Sequence, residues 1–248
     1  MDSLTENLMI TNKLLFDTLL SDLADQDIKR VIIGINWTLV ETALGCGLAH
    51  TPRRDDPGCQ TISTAGELTD LGLMEAAMLV RSENPMEVAI GMAAINASYN
   101  QYTLKASDKN GLDAFTDIDG PVTVIGRFPG LTERIRNLRV IEREPREGEY
   151  GEKDTAKLLP ESAGVIITSS ALVNGSAGEL LELAKNTRVC MVGPSTPFAS
   201  GLFDLGVDYL AGTIVTDIEG MAIAVAQGGA VKALKPFGTF KTLSREPG

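Results

Sequence analysis

The sequence predicts an α+β unit over residues 1–107, followed by an α/β domain with a mainly parallel sheet over 108–248 that opens on a polar linker at 108–120. Three observations carry that reading. Before residue 107, helix and strand patterns come in separate blocks. From Pro121 onward, short apolar runs alternate with amphipathic stretches. The charge shifts at the same place: residues 1–119 hold 8 Lys and Arg against 18 Asp and Glu, and residues 120–248 hold 14 against 15.

In chain order, Leu4, Leu8, Leu15, Leu19 and Leu20 fall at mostly helical spacing over 4–21, and Asp2 or Ser3 can cap that helix. Lys29 to Val40 is rich in β-formers and reads as strand; Glu41 to Thr51 continues as short strands around Gly45 and Gly47, a small antiparallel meander. Thr51 to Gly58 is a charged loop. Helices follow over 66–81 and 85–98, the second with Pro85 in its first turn and with Ala89, Gly91, Ala93, Ala94 and Ala97 suited to close packing. Beyond the linker come strands at 122–125, 138–142, 164–169, 188–193 and 208–211. Helices are expected between and after them at 131–137, 153–159, 175–186, 197–205 and 217–228. Such alternation means a parallel, Rossmann-like sheet covered on both faces, with ligands at the carboxyl ends of the strands.

The composition, 44% hydrophobic and 22% charged over 248 residues, is that of a globular protein with room for two modest cores. No apolar run reaches the roughly 20 residues that span a bilayer, and the acidic start lacks a basic leader region, so the expectation is a cytoplasmic protein without a membrane partner. A net charge of −11 with no basic footprint argues against nucleic acid. Three cysteines (Cys46, Cys59, Cys190) cannot all pair, and reduced thiols are expected.

Candidate chemistry gathers at the strand ends. The loop after the first parallel strand, Gly126-Arg127-Phe128-Pro129-Gly130, offers a sharp turn, a cation and the start of the expected helix, an anion-binding combination. Sixteen residues after Gly126, Glu142 stands where dinucleotide-binding folds place an acid for a ribose hydroxyl. The loop is Gly-x-x-x-Gly rather than Gly-x-Gly-x-x-Gly, and it reads equally as a tight turn with a surface arginine. Ser169 and Asn174 follow the third strand, and Gly193, Ser195 and Thr196 the fourth, with Pro194 and Pro197 stiffening the loop. Asn174 or Ser176 can instead simply cap the next helix.

In the first unit, Trp37-Thr38 and Asn96 are candidates to close the site, the plainer alternatives being a core tryptophan and a capping amide. His50 is the sole histidine. A metal site there would draw on Cys46, Cys59 or Asp55-Asp56, and no Cys-x-x-Cys spacing supports one. Neither a Gly-x-Ser-x-Gly elbow nor a Walker A loop is present.

Five phrases in order, Asn36-Trp37-Thr38, Ala94-Ile95-Asn96-Ala97, Val124-Ile125-Gly126-Arg127-Phe128-Pro129, Leu172-Val173-Asn174-Gly175 and Gly193-Pro194-Ser195-Thr196-Pro197, resemble the prokaryotic family described as "putative heavy-metal chelation". The resemblance spans nearly the whole chain. It implies an enolase N-terminal-like α+β domain, a Rossmann-like domain and an active site between them. It further implies a role in metal homeostasis, either chelating heavy metals or making or processing metallophore-, pterin- or flavin-like compounds by condensation or hydrolysis. The Rossmann half is partly methyltransferase-like, so S-adenosylmethionine, a nucleotide-like ligand or a heavy metal are the implied cofactors.

Two functions stand side by side. One is a small-molecule binder or enzyme, in which Arg127 and the Gly126 loop hold an anion, Asn174, Ser195 and Thr196 orient the rest, and no residue is named as general base. The other is a non-enzymatic carrier of a metal or metal chelate. A homo-oligomer is compatible with both, and a scaffold needing no cleft is the third alternative.

Overall fold

The computed structural model describes residues 3–53 and 61–245. Helix α1 (Ser3–Ser21) comes first and buries Leu15, Leu19 and Leu20. The strand expected from Lys29 to Val40 is two strands, β1 (Arg30–Ile33) and β2 (Trp37–Glu41), paired antiparallel. The turn between them closes where the Gly34 N–H donates to the Trp37 carbonyl at 2.9 Å. Strand β3 (Cys46–His50) joins β2 antiparallel, setting Trp37 opposite His50 and Glu41 opposite Cys46.

Helix α2 (Leu73–Met78) is shorter than the helix expected over 66–81, because 63–70 form turns and Gly72 sits at the N-cap. Helix α3 (Pro85–Tyr99) starts where Pro85 predicts. Its cap is the Asn84 side chain, accepting from the Met86 N–H at 3.0 Å.

The second half contributes β4 (Val122–Ile125), β5 (Leu138–Glu142), β6 (Tyr150–Gly151), α4 (Thr155–Leu158), β7 (Gly164–Thr168), α5 (Ser170–Val173) and α6 (Ala177–Leu183). It continues with β8 (Arg188–Val192), α7 (Gly201–Asp204), β9 (Tyr209–Val215), α8 (Ile218–Ala226), α9 (Val231–Leu234) and β10 (Gly238–Ser244). The strands form one seven-stranded sheet, ordered β10-β9-β8-β7-β4-β5-β6. It is parallel except for β10, which runs antiparallel to β9. Because β4 pairs with β5 on one side and β7 on the other, the winding reverses between β4 and β7.

Three expectations need correction. No helix forms over 131–137; Pro129-Gly130 leads into turns that bury Leu131 and Ile135 without helical continuity. The face of the sheet bearing Val122, Val124, Ile166 and Val192 is therefore covered by Phe115 from a short 3-10 helix (Gly111–Phe115) and by Leu131 and Ile135 from turns rather than by α-helices. The 108–120 segment is tied down. Its Gly111 N–H donates to Thr242 Oγ1 at 3.0 Å, and Phe115 is fully buried with its ring edge-on to Tyr209.

The opposite face, with Val165, Ile167, Val189 and Met191, shares one continuous apolar core with Leu15 and Leu19 of α1 and Ala93 and Ala97 of α3. The small sheet lies between α3 and α8. Trp37, Leu39, Cys46 and Leu48 pack on Met221 and Val225, while Val40 and Ala49 face the α3 side. Burial on both faces explains why β2 and β3 are apolar almost throughout.

Helix α3 rests directly on β3. A Cβ at Gly47 would be driven into the carbonyl of Ala93 and the backbone nitrogen of Ala97. Gly47→Ala is expected to cost about 3 kcal/mol, read as a lowered urea midpoint with an unchanged slope.

Candidate functional site

The end of α3 carries two amides one helical turn apart, and both reach the loop after β8. Asn96 Nδ2 donates to the Leu48 carbonyl at 2.6 Å and to the Ser195 carbonyl at 2.9 Å. Asn100 Nδ2 donates to the carbonyls of Thr196 at 2.9 Å and Thr213 at 3.3 Å, and its Oδ1 accepts from the Phe198 N–H at 3.0 Å. The His50 N–H donates to Ser195 Oγ at 2.9 Å. The end of β3 is thus fastened over the carboxyl edge of the large sheet.

At that edge two glycines adopt the left-handed region, Gly126 at φ +95° and Gly193 at φ +137°. A Cβ on Gly126 would press on Thr168 at 3.3 Å, and one on Gly193 would meet Ser169 Oγ at 2.6 Å. Thr168 Oγ1 and Ser170 Oγ share a hydrogen bond of 3.1 Å. Gly126 and Thr168 therefore face each other at the point where the winding reverses, the position of the ligand crevice in open α/β sheets.

The residues singled out in the sequence separate into three groups. Trp37, Thr38, Asn96, Ser169, Gly193, Ser195 and Thr196 gather where the two halves meet, but as an internal seam. Asn96 and Thr196 are 0% exposed, Ser195 1% and Ser169 2%. Instead of facing an open cleft, Asn96 clamps backbone and Ser195 receives the His50 amide. Thr38 Oγ1 hydrogen-bonds Thr51 Oγ1 at 3.0 Å. Trp37 packs edge-on to the His50 ring, the centroids 6.0 Å apart.

The second group, Arg127, Phe128 and Glu142, forms its own cluster with Glu149. Arg127 donates to both Glu149 oxygens, at 2.8 and 2.6 Å, and lies 4.0 Å from Glu142. That guanidinium holds the Glu149 carboxyl down at about 2. Arg127 is consequently neutralised, and with no helix after Gly130 the expected helix-start anion site is not built. Beside it, a cavity of about 250 Å³ is lined by Val124, Phe128, Leu131, Leu138 and Glu149.

Asn174 stands apart. It is exposed, and its side chain accepts from the Ser176 N–H and Oγ in a local turn; Ser176 sits at the N-cap of α6 but makes no side-chain cap bond, so neither residue caps the helix through its side chain as expected.

Three polar atoms at the seam have no hydrogen-bond partner among the described residues: Trp37 Nε1, Asn96 Oδ1 and Thr196 Oγ1. Sequence reasoning missed Asn100, Arg53 and Arg143. The first had a signal, its spacing of four residues from Asn96. His50 is half-buried, and burial lowers its pKa from the ordinary 6.5, with Arg53 and Arg143 adding to the effect.

Among the described residues no group of three His, Cys, Asp or Glu side chains converges on a point that could hold a metal. Cys46 and His50 occupy opposite ends of β3, about 13 Å apart along an extended strand, and cannot share an ion. Burial pushes the Cys46 and Cys190 thiols up, away from the thiolate a metal requires. Asp55, Asp56 and Cys59 lie outside the described residues. The donor set described does not fit a heavy-metal centre. No helix among the described residues is long and apolar enough to cross a membrane.

The fold is therefore a mixed α/β protein with a mostly parallel sheet and a small antiparallel one, joined by a buried polar seam. The chain belongs to the DUF364 family, described as "putative heavy-metal chelation", whose pattern matches residues 112–244. A second family of the same description, DUF4213, matches residues 16–99. A crystal structure of a DUF364 protein of unknown function from Desulfitobacterium hafniense DCB-2 is similar over 94% of this chain and 98% of that one, with 29% identity and a TM-score of 0.81. Another, from Pyrococcus horikoshii, shares the fold at 22% identity and a TM-score of 0.71, covering 96% and 99%. An uncharacterised protein of Methanocaldococcus jannaschii is 26% identical over 147 residues, 54% of this chain, and the match spans 57% of that relative's length.

Asn100→Ala removes three hydrogen bonds and strands their buried backbone partners. The expected loss is about 3 kcal/mol, measured by chemical denaturation. His50 gives a pH signature. Its folded pKa lies below 6.5, so the unfolded chain binds the proton first as the pH falls. Its contribution to stability is full above about pH 6.5 and is lost progressively below it, down to the lowered folded value. Denaturation midpoints from pH 7.5 to 5 should show this slope reduced in His50→Gln.

Proposed function

We propose that the chain binds a small polar ligand in the crevice between the ends of β4 and β7, with the first unit (residues 1–107) forming its roof and the Rossmann-like second unit (108–248) its floor. The observation that carries this reading is the facing of Gly126 and Thr168 where the winding of the sheet reverses; the neighbouring seam also holds three buried polar atoms without a partner among the described residues, Trp37 Nε1, Asn96 Oδ1 and Thr196 Oγ1. Each such group costs about 1–3 kcal/mol to bury. Polar atoms left unsatisfied in this way are a reason to look for a ligand beside them.

The positions of Gly126 and Thr168 support the same crevice, since an absent side chain leaves room for a ring and a hydroxyl gives it an edge contact. A planar heterocycle of the pterin or flavin kind, or a metallophore, matches the donor and acceptor set. Processing of that compound by condensation or hydrolysis is the enzymatic form of the reading. In the carrier form, metal arrives already chelated, which agrees with the family description and with the lack of a built metal centre among the described residues.

Trp37 is the chain's sole tryptophan, so its fluorescence reports on the roof without interference. Titration with a pterin and with flavin mononucleotide should give saturable quenching. Binding should weaken by about tenfold in Gly126→Ala and in the shape-conserving Thr168→Val. Lack of saturable quenching, or quenching unchanged in both variants, would refute the crevice. Elemental analysis after exposure to Ni²⁺ alone separates a direct metal carrier from a chelate carrier, because only the former retains the ion.

A further inference from the structure

We propose that the cavity beneath the turn at residues 128–132 is a second binding site, one that takes an uncharged bicyclic aromatic ring. It adjoins the crevice without depending on it.

The site follows from a helix that does not form. Alternation along the strands turns Val124, Leu138 and Val140 to the same face of the sheet as Ile166. A helix laid on that face would cover them with a continuous apolar stripe. Pro129 and Gly130, the latter at φ +77°, lead instead into turns, and only Leu131 and Ile135 are buried from them. Val124 is fully buried, but Leu138 and Val140 are left half-buried. The space between the turn and the strands β4 and β5 is a cavity of about 250 Å³.

Size and lining set the ligand class. An apolar cavity of about 150 Å³ holds a benzene ring, so this one has room for two fused rings. Its apolar walls are Val124, Phe128, Leu131, Leu138 and Val140. Those side chains offer dispersion and ring stacking but no hydrogen bond. The charged residues at the margin, Arg127 and Glu149, already satisfy each other through bonds of 2.8 and 2.6 Å. Glu142 lies 4.0 Å from the same guanidinium, which sets two carboxylates against one cation. An anionic substituent on the ring is therefore repelled. Pro129, Gly130 and Thr132 also border the cavity and are exposed, so it opens to solvent along the turn.

Phe128 is the wall between the two sites. Its ring lines the cavity and stands 3.7 Å from the point where a Cβ on Gly126 would lie. Thr168 meets that same point at 3.3 Å. A ring packed against Phe128 from the cavity thus lies beside the crevice without entering it.

The probe is 5-fluoroindole, followed by its fluorine NMR resonance as protein is added. Saturable binding is expected, with nuclear Overhauser contacts from the ring protons to the methyl groups of Leu138 and Val140. The anionic 5-fluoroindole-3-acetate should bind about tenfold more weakly at low salt. Val140→Phe and the milder Val140→Leu should each weaken binding by about tenfold without lowering the thermal midpoint, because they fill empty space. Thr168→Val, on the crevice side, should leave 5-fluoroindole binding unchanged.

Absence of saturable binding, tighter binding of the acetate, Overhauser contacts only to other methyl groups, or equal affinity in both Val140 variants would overturn the site. The contacts decide the matter even where a variant fails to fold. If pterin or flavin mononucleotide still quenches Trp37 when 5-fluoroindole does not bind, the cavity fails and the crevice stands.

Discussion

The structure depends on how closely α3 lies on β3. Gly47, with Gly45 just before the strand, removes side chains that would hold them apart, and the alanines of α3 present nothing larger than a methyl group to the strand. A helix buried on every side must satisfy its polar side chains internally. Asn100 at its C-cap does so through both amide atoms and Asn96 through Nδ2, each taking the backbone of the loop after β8 as partner. Close packing in the first half thereby fixes the loop conformation in the second. His50 and Trp37, at the adjoining ends of β3 and β2, are carried to the strand edge as a result.

Charge follows from this placement. The chain is acidic overall, and several of its arginines have an acid opposite: Arg30 with Glu219, Arg81 with Asp17, Arg127 with Glu149, Arg134 with Asp113. These are screened surface pairs of small energetic weight. The region around His50 differs because burial and two guanidinium groups act on the imidazole in the same direction.

Much of this was legible in the sequence where the signal is local. The runs at 122–125, 138–142 and 188–192 are β-rich segments bounded by turn residues, and they are strands. Pro85 and Asn84 mark the start of α3 because capping chemistry is set by adjacent residues. Leu131 and Ile135 misled: a pair at i and i+4 marks one helical face, but two buried apolar residues in a turn-rich loop have the same spacing. The edge strand β10 alternates only weakly, with Thr242 as its buried residue, and its identity comes from pairing with β9. At the strand edge, the sequence located loops that meet there and not the direction of their side chains. Ser195, Thr196 and Asn96 are polar residues near a strand edge whether they face a ligand or a seam. Burial decides between the two, and burial is set by α3, a hundred residues away from the loop it covers.

The seam also constrains how the proposed crevice can fill. Five hydrogen bonds cross it, one from Asn96, three through Asn100 and one from the His50 amide. Parting the halves there would expose buried carbonyls and amides together, at about 1 kcal/mol net for each bond, and would also open the shared apolar core that α3 forms with β7 and β8. A hinge does not sit well on such an interface. Gly126, Thr168 and Ser170 lie outside it, only partly buried at the carboxyl edge of the sheet. Entry along that edge leaves all five bonds intact. On this reading the seam is the rigid back wall that holds Trp37 and His50 at a fixed height.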